Sequence, residues 1–193
     1  MALAMMLPTA GPMILTYTDI AETAARKDAT VAPPLVLMAG YIVVWLGAAM
    51  ALTALQILFA RVSLLDTAMS SASPIFSGAI FIGAGAYQFS ALKHACVTQC
   101  QQPFPFFFAN WTATPRGVFR LGLRQGLYCL GCCWAMMLLM FAVGVMNVVW
   151  MAALGMVMTI EKLNTTIRFS RALGVVFILV GTAFIVSWIA ARS

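Results

Sequence analysis

The stretch GLYCLGCCWAMMLLMFAVGVMNVVWMAALGMVMTI, residues 126–160, contains no Asp, Glu, Lys or Arg. It is longer than the ~20 apolar residues that are needed to cross a ~30 Å hydrocarbon core. As one helix it would extend ~53 Å, which a bilayer accommodates only if the helix is strongly tilted. The stretch therefore forms either one long tilted helix or two short membrane helices that turn near GVMN, residues 144–147.

The composition of the whole chain indicates an integral membrane protein. Of its 193 residues, 63% are hydrophobic and only 8% are charged, whereas ordinary soluble domains have roughly 25% charged residues. We interpret the formal charge of +6 as a sign of membrane topology, because Lys and Arg are enriched in the cytoplasmic loops of membrane proteins. No dense basic patch typical of nucleic-acid binding is present, so we predict no nucleic-acid partner. We predict an all-α polytopic helical bundle, a single membrane domain over residues 1–193, with the lipid bilayer as its first partner.

Charges and prolines divide the chain into six predicted membrane segments. The first contains Pro8 and Pro12 and is expected to be a kinked helix. The third contains GAIFIGAGA, residues 78–86, whose small side chains let helices approach closely. The six segments are residues 2–18, 35–60, 75–92, 126–143, 147–160 and 172–191.

The placement of Lys and Arg favours two short helices in the opening stretch. With a helical hairpin there, loops 19–34, 91–125 and 161–171 lie on one side and hold two, four and three Lys or Arg, nine of the chain's eleven. With one long helix the split would be seven to four, a weaker match to the positive-inside rule. This topology predicts that both termini are outside and that region 93–125 is cytoplasmic or interfacial.

Region 93–125 has the pattern of a membrane interface. Arg116, Arg120 and Arg124 recur every four residues, so on a helix they form one basic stripe that faces lipid headgroups. Five aromatic side chains before this stripe fit an interfacial belt: Phe104, Phe106, Phe107, Phe108 and Trp111.

The opening stretch also concentrates sulfur on one helical face. Its cysteines stand at i, i+3 and i+4, and methionines continue the same face at i+7, i+8 and i+11. Thiolates and thioethers together are the ligands that soft metals prefer, above all Cu(I). The candidate ligands of this face are Cys129, Cys132, Cys133, Met136, Met137 and Met140.

A second sulfur pair, Cys96 and Cys100, is spaced i, i+4. Lys93 stands one helical turn before Cys96, where an ammonium group could stabilise a thiolate. His94 points elsewhere on a regular helix and is within reach of the pair only if the backbone is irregular. We include His94 among the candidate metal ligands.

Two other interpretations of the cysteines remain open. Buried cysteine is often a small packing residue, and methionine stripes are often only packing. Cys96 and Cys100 could also form a disulfide, since their Cα atoms would be ~6 Å apart. The predicted cytoplasmic location of both clusters favours reduced thiols.

The sequence lacks the residues that several common catalytic or transport mechanisms require. No Asp or Glu lies inside a predicted span, so a carboxylate relay of the kind used in proton-coupled transport is missing. The chain has no GxxxxGK phosphate loop and no HExxH motif. Its single His excludes a bis-histidine haem site built from this chain alone. We therefore assign no catalytic residues.

The order of five motifs resembles a bacterial family of integral membrane proteins described as predicted metal-binding. The motifs are AMMLPTAGPM (residues 4–13), LKHACVTQCQQP (92–103), GLYCLGCCWAMM (126–137), GVMNVVWM (144–151) and EKL (161–163). The resemblance implies a multi-pass protein of the bacterial inner membrane and a metal bound by the five cysteines. Members of that family carry His just before the cysteine block, where this chain has Gln125, and usually have further apolar sequence before AMMLP.

Three functions follow from these features. The first hypothesis is a membrane protein that binds or handles copper or another soft metal ion. The second, motivated by Gln125 and the absence of carboxylates in the spans, is a non-catalytic accessory subunit of a larger membrane enzyme or electron-transfer complex. The third is a thiol–disulfide membrane oxidoreductase, which would need two exchanging cysteine pairs and a cofactor such as quinone.

Overall fold

The structure, a computed structural model, describes residues 2–26, 30–62, 73–144, 148–163 and 167–191. Within these ranges the secondary structure is entirely helical, which confirms the predicted all-α class. The eight helices of the described ranges are α1 (Ala2–Ala25), α2 (Pro34–Arg61), α3 (Pro74–Tyr87), α4 (Ala91–Gln101), α5 (Pro103–Ala109), α6 (Pro115–Val143), α7 (Val148–Leu163) and α8 (Ile167–Ala190).

Fewer helices than the predicted six have the length and composition of a membrane span within the described residues. Among the described residues, α2, α6 and α8 (from Arg168) are long and apolar enough to cross a membrane by themselves. Helices α3 and α4 meet at an angle of 66° across a short break and together make a fourth candidate, either a broken span or a re-entrant loop. Six spans are therefore not confirmed. Two of the predicted segments fall on α3 and α7, whose 14 and 16 residues are fewer than the ~20 that a bilayer requires.

The opening stretch forms two helices, and one continuous helix is wrong. Helix α6 ends at Val143, and Gly144 follows with a φ of 99°. Only glycine adopts this left-handed conformation without steric cost, so it is a common residue just past a helix end. Helix α7 starts at Val148. Residues 145–147, which include the predicted start of the fifth segment, lie outside the described ranges.

The basic stripe is part of a long helix and not of a separate interfacial one. Helix α6 begins at Pro115, a favoured first helical residue, and no proline interrupts it before Val143. Arg116, Arg120 and Arg124 are exposed on its first half, as predicted for a headgroup-facing stripe. The Arg124 guanidinium donates a hydrogen bond of 2.9 Å to Oδ1 of Asn110.

The aromatic belt divides into an exposed and a buried part. Phe106 and Phe107 are buried inside the protein, so their rings do not lie on its surface as the rings of the other three do. The ring centroid of Phe107 lies 5.7 Å from that of Tyr17, and the Tyr17 hydroxyl donates a 2.7 Å hydrogen bond to the Ala32 carbonyl oxygen. The exposed aromatic side chains are Phe104, Phe108 and Trp111.

Packing divides the chain into two compact units. Unit 1 comprises Met1–Met50 and Ala95–Gly131, and unit 2 comprises Ala51–His94 and Cys132–Ser193. In unit 1, α2 and α6 touch backbone to backbone. A Cβ atom on Gly40 would collide with the Phe119 carbonyl oxygen, and one on Gly122 would collide with the Leu37 carbonyl oxygen. Glycine is therefore required at both positions for this approach.

Unit 2 contains a second close helix pair, between α3 and α8. A Cβ atom on Gly85 would lie 2.8 Å from the Gly174 carbonyl oxygen, and one on Gly181 would lie 2.8 Å from the Gly78 carbonyl oxygen. The two helices thus meet through small residues at two levels. This confirms the prediction that the GAIFIGAGA segment allows close helix approach.

Candidate functional site

The six sulfur side chains of α6 are all buried. Each is at most 9% exposed, although α6 also carries exposed side chains such as Leu127 and Trp134. Because α6 is one continuous α-helix, positions 129, 132, 133, 136, 137 and 140 share a face, as the spacing predicted. We call this set, Cys129, Cys132, Cys133, Met136, Met137 and Met140, the sulfur face of α6.

A tyrosine of α2 contacts the first cysteine of the sulfur face. The Tyr41 hydroxyl oxygen lies 3.1 Å from Cys129 Sγ, and either atom can be the donor of this hydrogen bond. Tyr41 is 6% exposed and Cys129 is 3% exposed. The two residues are 88 positions apart, and no local pattern marked Tyr41, so sequence reasoning missed it.

Gln125 is buried one helical turn before Cys129 on α6. Its side chain is 3% exposed, and its Oε1 atom has no hydrogen-bond partner within the described part of the chain. Leaving a buried polar atom unpartnered costs about 1–3 kcal/mol. Such atoms in native proteins call for an explanation such as a water or an ion. Gln125 thus presents a buried oxygen without a hydrogen-bond partner among the described residues, one helical turn before the first cysteine of the sulfur face.

Cys96 lies on a different side of α6 from Cys129. A Cβ atom on Gly131 would be 2.7 Å from Cys96 Sγ, so the thiol rests on the surface that this glycine leaves open. Gly131 follows Cys129 by two residues. Viewed along the helix axis, the side of α6 at Gly131 therefore lies about 160° from the side that carries the Cys129 side chain. The structure therefore does not bring Cys96 and Cys129 to one point.

The second cysteine pair keeps its helical spacing on α4. Cys96 is buried and Cys100 is half-buried. None of the chain's five cysteines, all of which fall in described ranges, forms a disulfide, so the alternative of a Cys96–Cys100 bridge is not realised. His94 is half-buried on the same regular helix. The irregular backbone that would bring it to the cysteine pair is absent from the described α4.

Lys93, which the sequence places one turn before Cys96, is paired with a carboxylate of another helix. Its ammonium nitrogen lies 2.9 Å from Oε1 and 3.0 Å from Oε2 of Glu161 at the end of α7. The lysine and glutamate side chains are only 1% and 5% exposed. The Glu161 carboxylate is therefore the direct partner of the lysine charge. This pairing explains why both charges can be buried.

Glu161 is a buried acidic residue that the sequence analysis placed just outside a span. The predicted fifth segment ended at residue 160, whereas α7 continues to Leu163. Its signal in the sequence was the EKL motif directly after an apolar run. Nothing in the sequence indicated that Glu161 contacts Lys93, which stands 68 residues earlier.

The donor chemistry of α6 fits copper. In the described ranges, no group of three or more His, Cys, Asp or Glu side chains is arranged to hold a metal ion. Half of the sulfur face, however, consists of methionine thioethers. Thiolates and thioethers are the ligands that favour Cu(I) over harder divalent ions.

A family model described as "PpoB2: Copper chaperone" matches residues 1–184 of the chain. The chain belongs to the PpoB2 copper chaperone family. The match includes all five cysteines and the whole sulfur face. It supports the expected resemblance to a metal-binding family and associates that family with copper in particular. No curated protein and no solved structure matches the chain.

Proposed function

We propose that the protein binds Cu(I) as its cargo on the sulfur face of α6, within a membrane, and passes the ion on as a copper chaperone. The observation that carries this proposal is the burial of all six sulfur side chains of one helical face, none more than 9% exposed. Membership of a copper chaperone family supports copper as the ion. The three apolar helices that could cross a membrane support the location.

The order of ligands along α6 suits capture followed by release. The three cysteines come first in the chain and the three methionines follow, over ~17 Å of helix. A thiolate is an anionic ligand and a thioether a neutral one, so the ion is held more tightly at the cysteine end. One Cu(I) ion with one thiolate has no net charge, which lowers the cost of burying the ion.

The basic stripe suggests the side from which copper enters. Arg116, Arg120 and Arg124 precede the cysteines on the same helix, and positive residues accumulate on the cytoplasmic side of membrane proteins. The cysteine end of α6 is therefore closest to the cytoplasm in this proposal, with the methionines deeper in the bilayer. The resemblance to a bacterial family of integral membrane proteins supports a location in the bacterial inner membrane.

The test is a copper-binding titration of the purified protein in detergent. The protein is loaded with Cu(I) under anaerobic conditions, and a chromophoric Cu(I) chelator competes for the ion. We expect stoichiometric copper in the wild-type protein and loss of tight binding when Cys132 and Cys133 are both replaced by Ser. Ala135→Ser is the matched control, because Ala135 is also buried on α6 but carries no sulfur. A wild-type protein that binds no copper, or a double variant that binds it normally, would contradict the proposal.

A further inference from the structure

We propose that Tyr41 is a positioning residue for copper binding, whose hydroxyl group holds the sulfur atom of Cys129 in place on α6. The inference rests on the proposed function and adds to it a residue outside the sulfur face. It starts from the 3.1 Å contact between Tyr41 Oη and Cys129 Sγ, a hydrogen bond between two side chains that are both more than nine-tenths buried.

The surrounding backbone holds the tyrosine close to the cysteine. Gly40, directly before Tyr41, packs against the Phe119 carbonyl oxygen, and Gly122 of α6 packs against the Leu37 carbonyl oxygen. Gly126 continues this contact, since a Cβ atom there would lie 2.9 Å from Cβ of Val44. Because α2 and α6 are in close contact before and after Tyr41, we expect the ring to have little freedom to move away from Cys129.

The direction of the hydrogen bond follows from the chemistry of a bound ion. A thiol can donate or accept, so either direction is available without copper. A sulfur atom that is bound to Cu(I) as a thiolate has no proton and can only accept. The Tyr41 hydroxyl then donates to it, a charge-assisted hydrogen bond that is stronger than a neutral one.

Removing the Tyr41 hydroxyl should lower the Cu(I) affinity without removing a copper ligand. Groups that orient a metal ligand without touching the metal typically change affinity 10- to 100-fold when they are removed. We expect Tyr41→Phe, which keeps the ring and removes only the hydroxyl, to weaken Cu(I) binding by about this factor. The number of copper ions bound at saturation should stay the same, because no ligand is lost.

Tyr17→Phe is the matched control. Tyr17 is fully buried in the same unit, and its hydroxyl donates a 2.7 Å hydrogen bond to a backbone carbonyl oxygen, that of Ala32, and not to sulfur. Each variant loses one hydrogen bond of a buried tyrosine hydroxyl, so a general loss of folding stability would appear in both. Only Tyr41→Phe should change the Cu(I) affinity and the copper–sulfur distances measured by X-ray absorption.

A second measurement uses the copper-free protein. The rate at which a small methanethiosulfonate modifies Cys129, followed by peptide mass spectrometry, reports how firmly the sulfur is held. We expect Tyr41→Phe to raise this rate several-fold and Tyr17→Phe to leave it unchanged. Equal rates in Tyr41→Phe and wild type would overturn the hydroxyl–sulfur contact, whether or not copper binds.

The two experiments separate this inference from the proposed function. If the wild-type protein takes up no copper, the proposed function fails, and the copper role of Tyr41 is overturned with it. If the wild-type protein binds copper but Tyr41→Phe binds it with unchanged affinity and copper–sulfur distances, the inference fails and the proposed function stands. Equal weakening in Tyr41→Phe and Tyr17→Phe would likewise assign Tyr41 a structural role only.

Discussion

Replacing Lys93 by Met should destabilise the protein strongly, because it removes the ammonium group that faces the buried Glu161 carboxylate. The ammonium nitrogen lies 2.9 and 3.0 Å from the two carboxylate oxygens, and the side chains are 1% and 5% exposed. At 2.9 Å the attraction of two unit charges is roughly 6 kcal/mol for an effective dielectric constant of about 20. Part of this attraction only offsets the cost of removing both charges from water.

The expected loss for Lys93→Met is therefore about 3–5 kcal/mol in the free energy of unfolding, as for other buried ion pairs that lose one partner. For a chain of this size that corresponds to a fall of roughly 10 °C in melting temperature. The measurement is thermal unfolding of the detergent-solubilised protein, followed by loss of the monodisperse peak in size-exclusion chromatography. Arg61→Met, which removes an exposed charge at the end of α2, is the control and should change the melting temperature little.

The double variant Lys93→Met with Glu161→Leu decides whether the charge is responsible. Replacing both members of a buried ion pair by apolar residues is often neutral, so the double variant should regain most of the lost stability. The reasoning is refuted if Lys93→Met melts within 2 °C of the wild-type protein, a shift of less than about 1 kcal/mol. It is also refuted if the double variant is no more stable than the single one.

Two further predictions concern residues next to the cysteines. Gly131→Ala should lower stability by about 1–3 kcal/mol and raise the labelling rate of Cys96, since the new Cβ atom would be 2.7 Å from Cys96 Sγ. Gly47→Ala, with no atom within 4 Å, should instead stabilise α2 slightly; equal effects in the two thermal unfolding measurements would contradict the predicted collision. Gln125→His should strengthen Cu(I) binding roughly tenfold in the chelator competition, because an imidazole is a better copper ligand than an amide oxygen. Gln125→Leu is its control, and a histidine variant that binds no tighter than the leucine variant would disprove a ligand position beside Cys129.

Much of the candidate site was readable from local spacing. The sulfur face depends only on the periodicity of one helix, so the positions of Cys129, Cys132 and Cys133 predicted a shared face that the structure of α6 confirms. The break after Val143 was also predicted, because the uncharged run exceeds the thickness of a bilayer and the placement of Lys and Arg favoured a turn near residues 144–147. The sulfur face is set by residues within a few positions of one another, and the break was predicted from charges counted along the whole chain.

Contacts between distant helices were not readable in the same way. Lys93 was expected to serve Cys96, its neighbour on α4, but its charge is paired with Glu161 of α7. Tyr41 carried no signal at all in the sequence. A hydrogen bond or an ion pair over 68 or 88 residues depends on which helices pack together, and helical periodicity does not contain that information.

The amino-acid sequence by itself determined that this chain is helical and apolar, with a sulfur-rich face on one helix and a turn near residues 144–147. These properties follow from composition, from the 3.6-residue period and from the placement of Lys and Arg. Only the tertiary structure decided that Cys96 rests on Gly131, about 160° around α6 from Cys129, and that Tyr41 reaches Cys129 from α2. The physical reason is close packing, because glycines at the helix contacts set which side chains come within hydrogen-bonding distance.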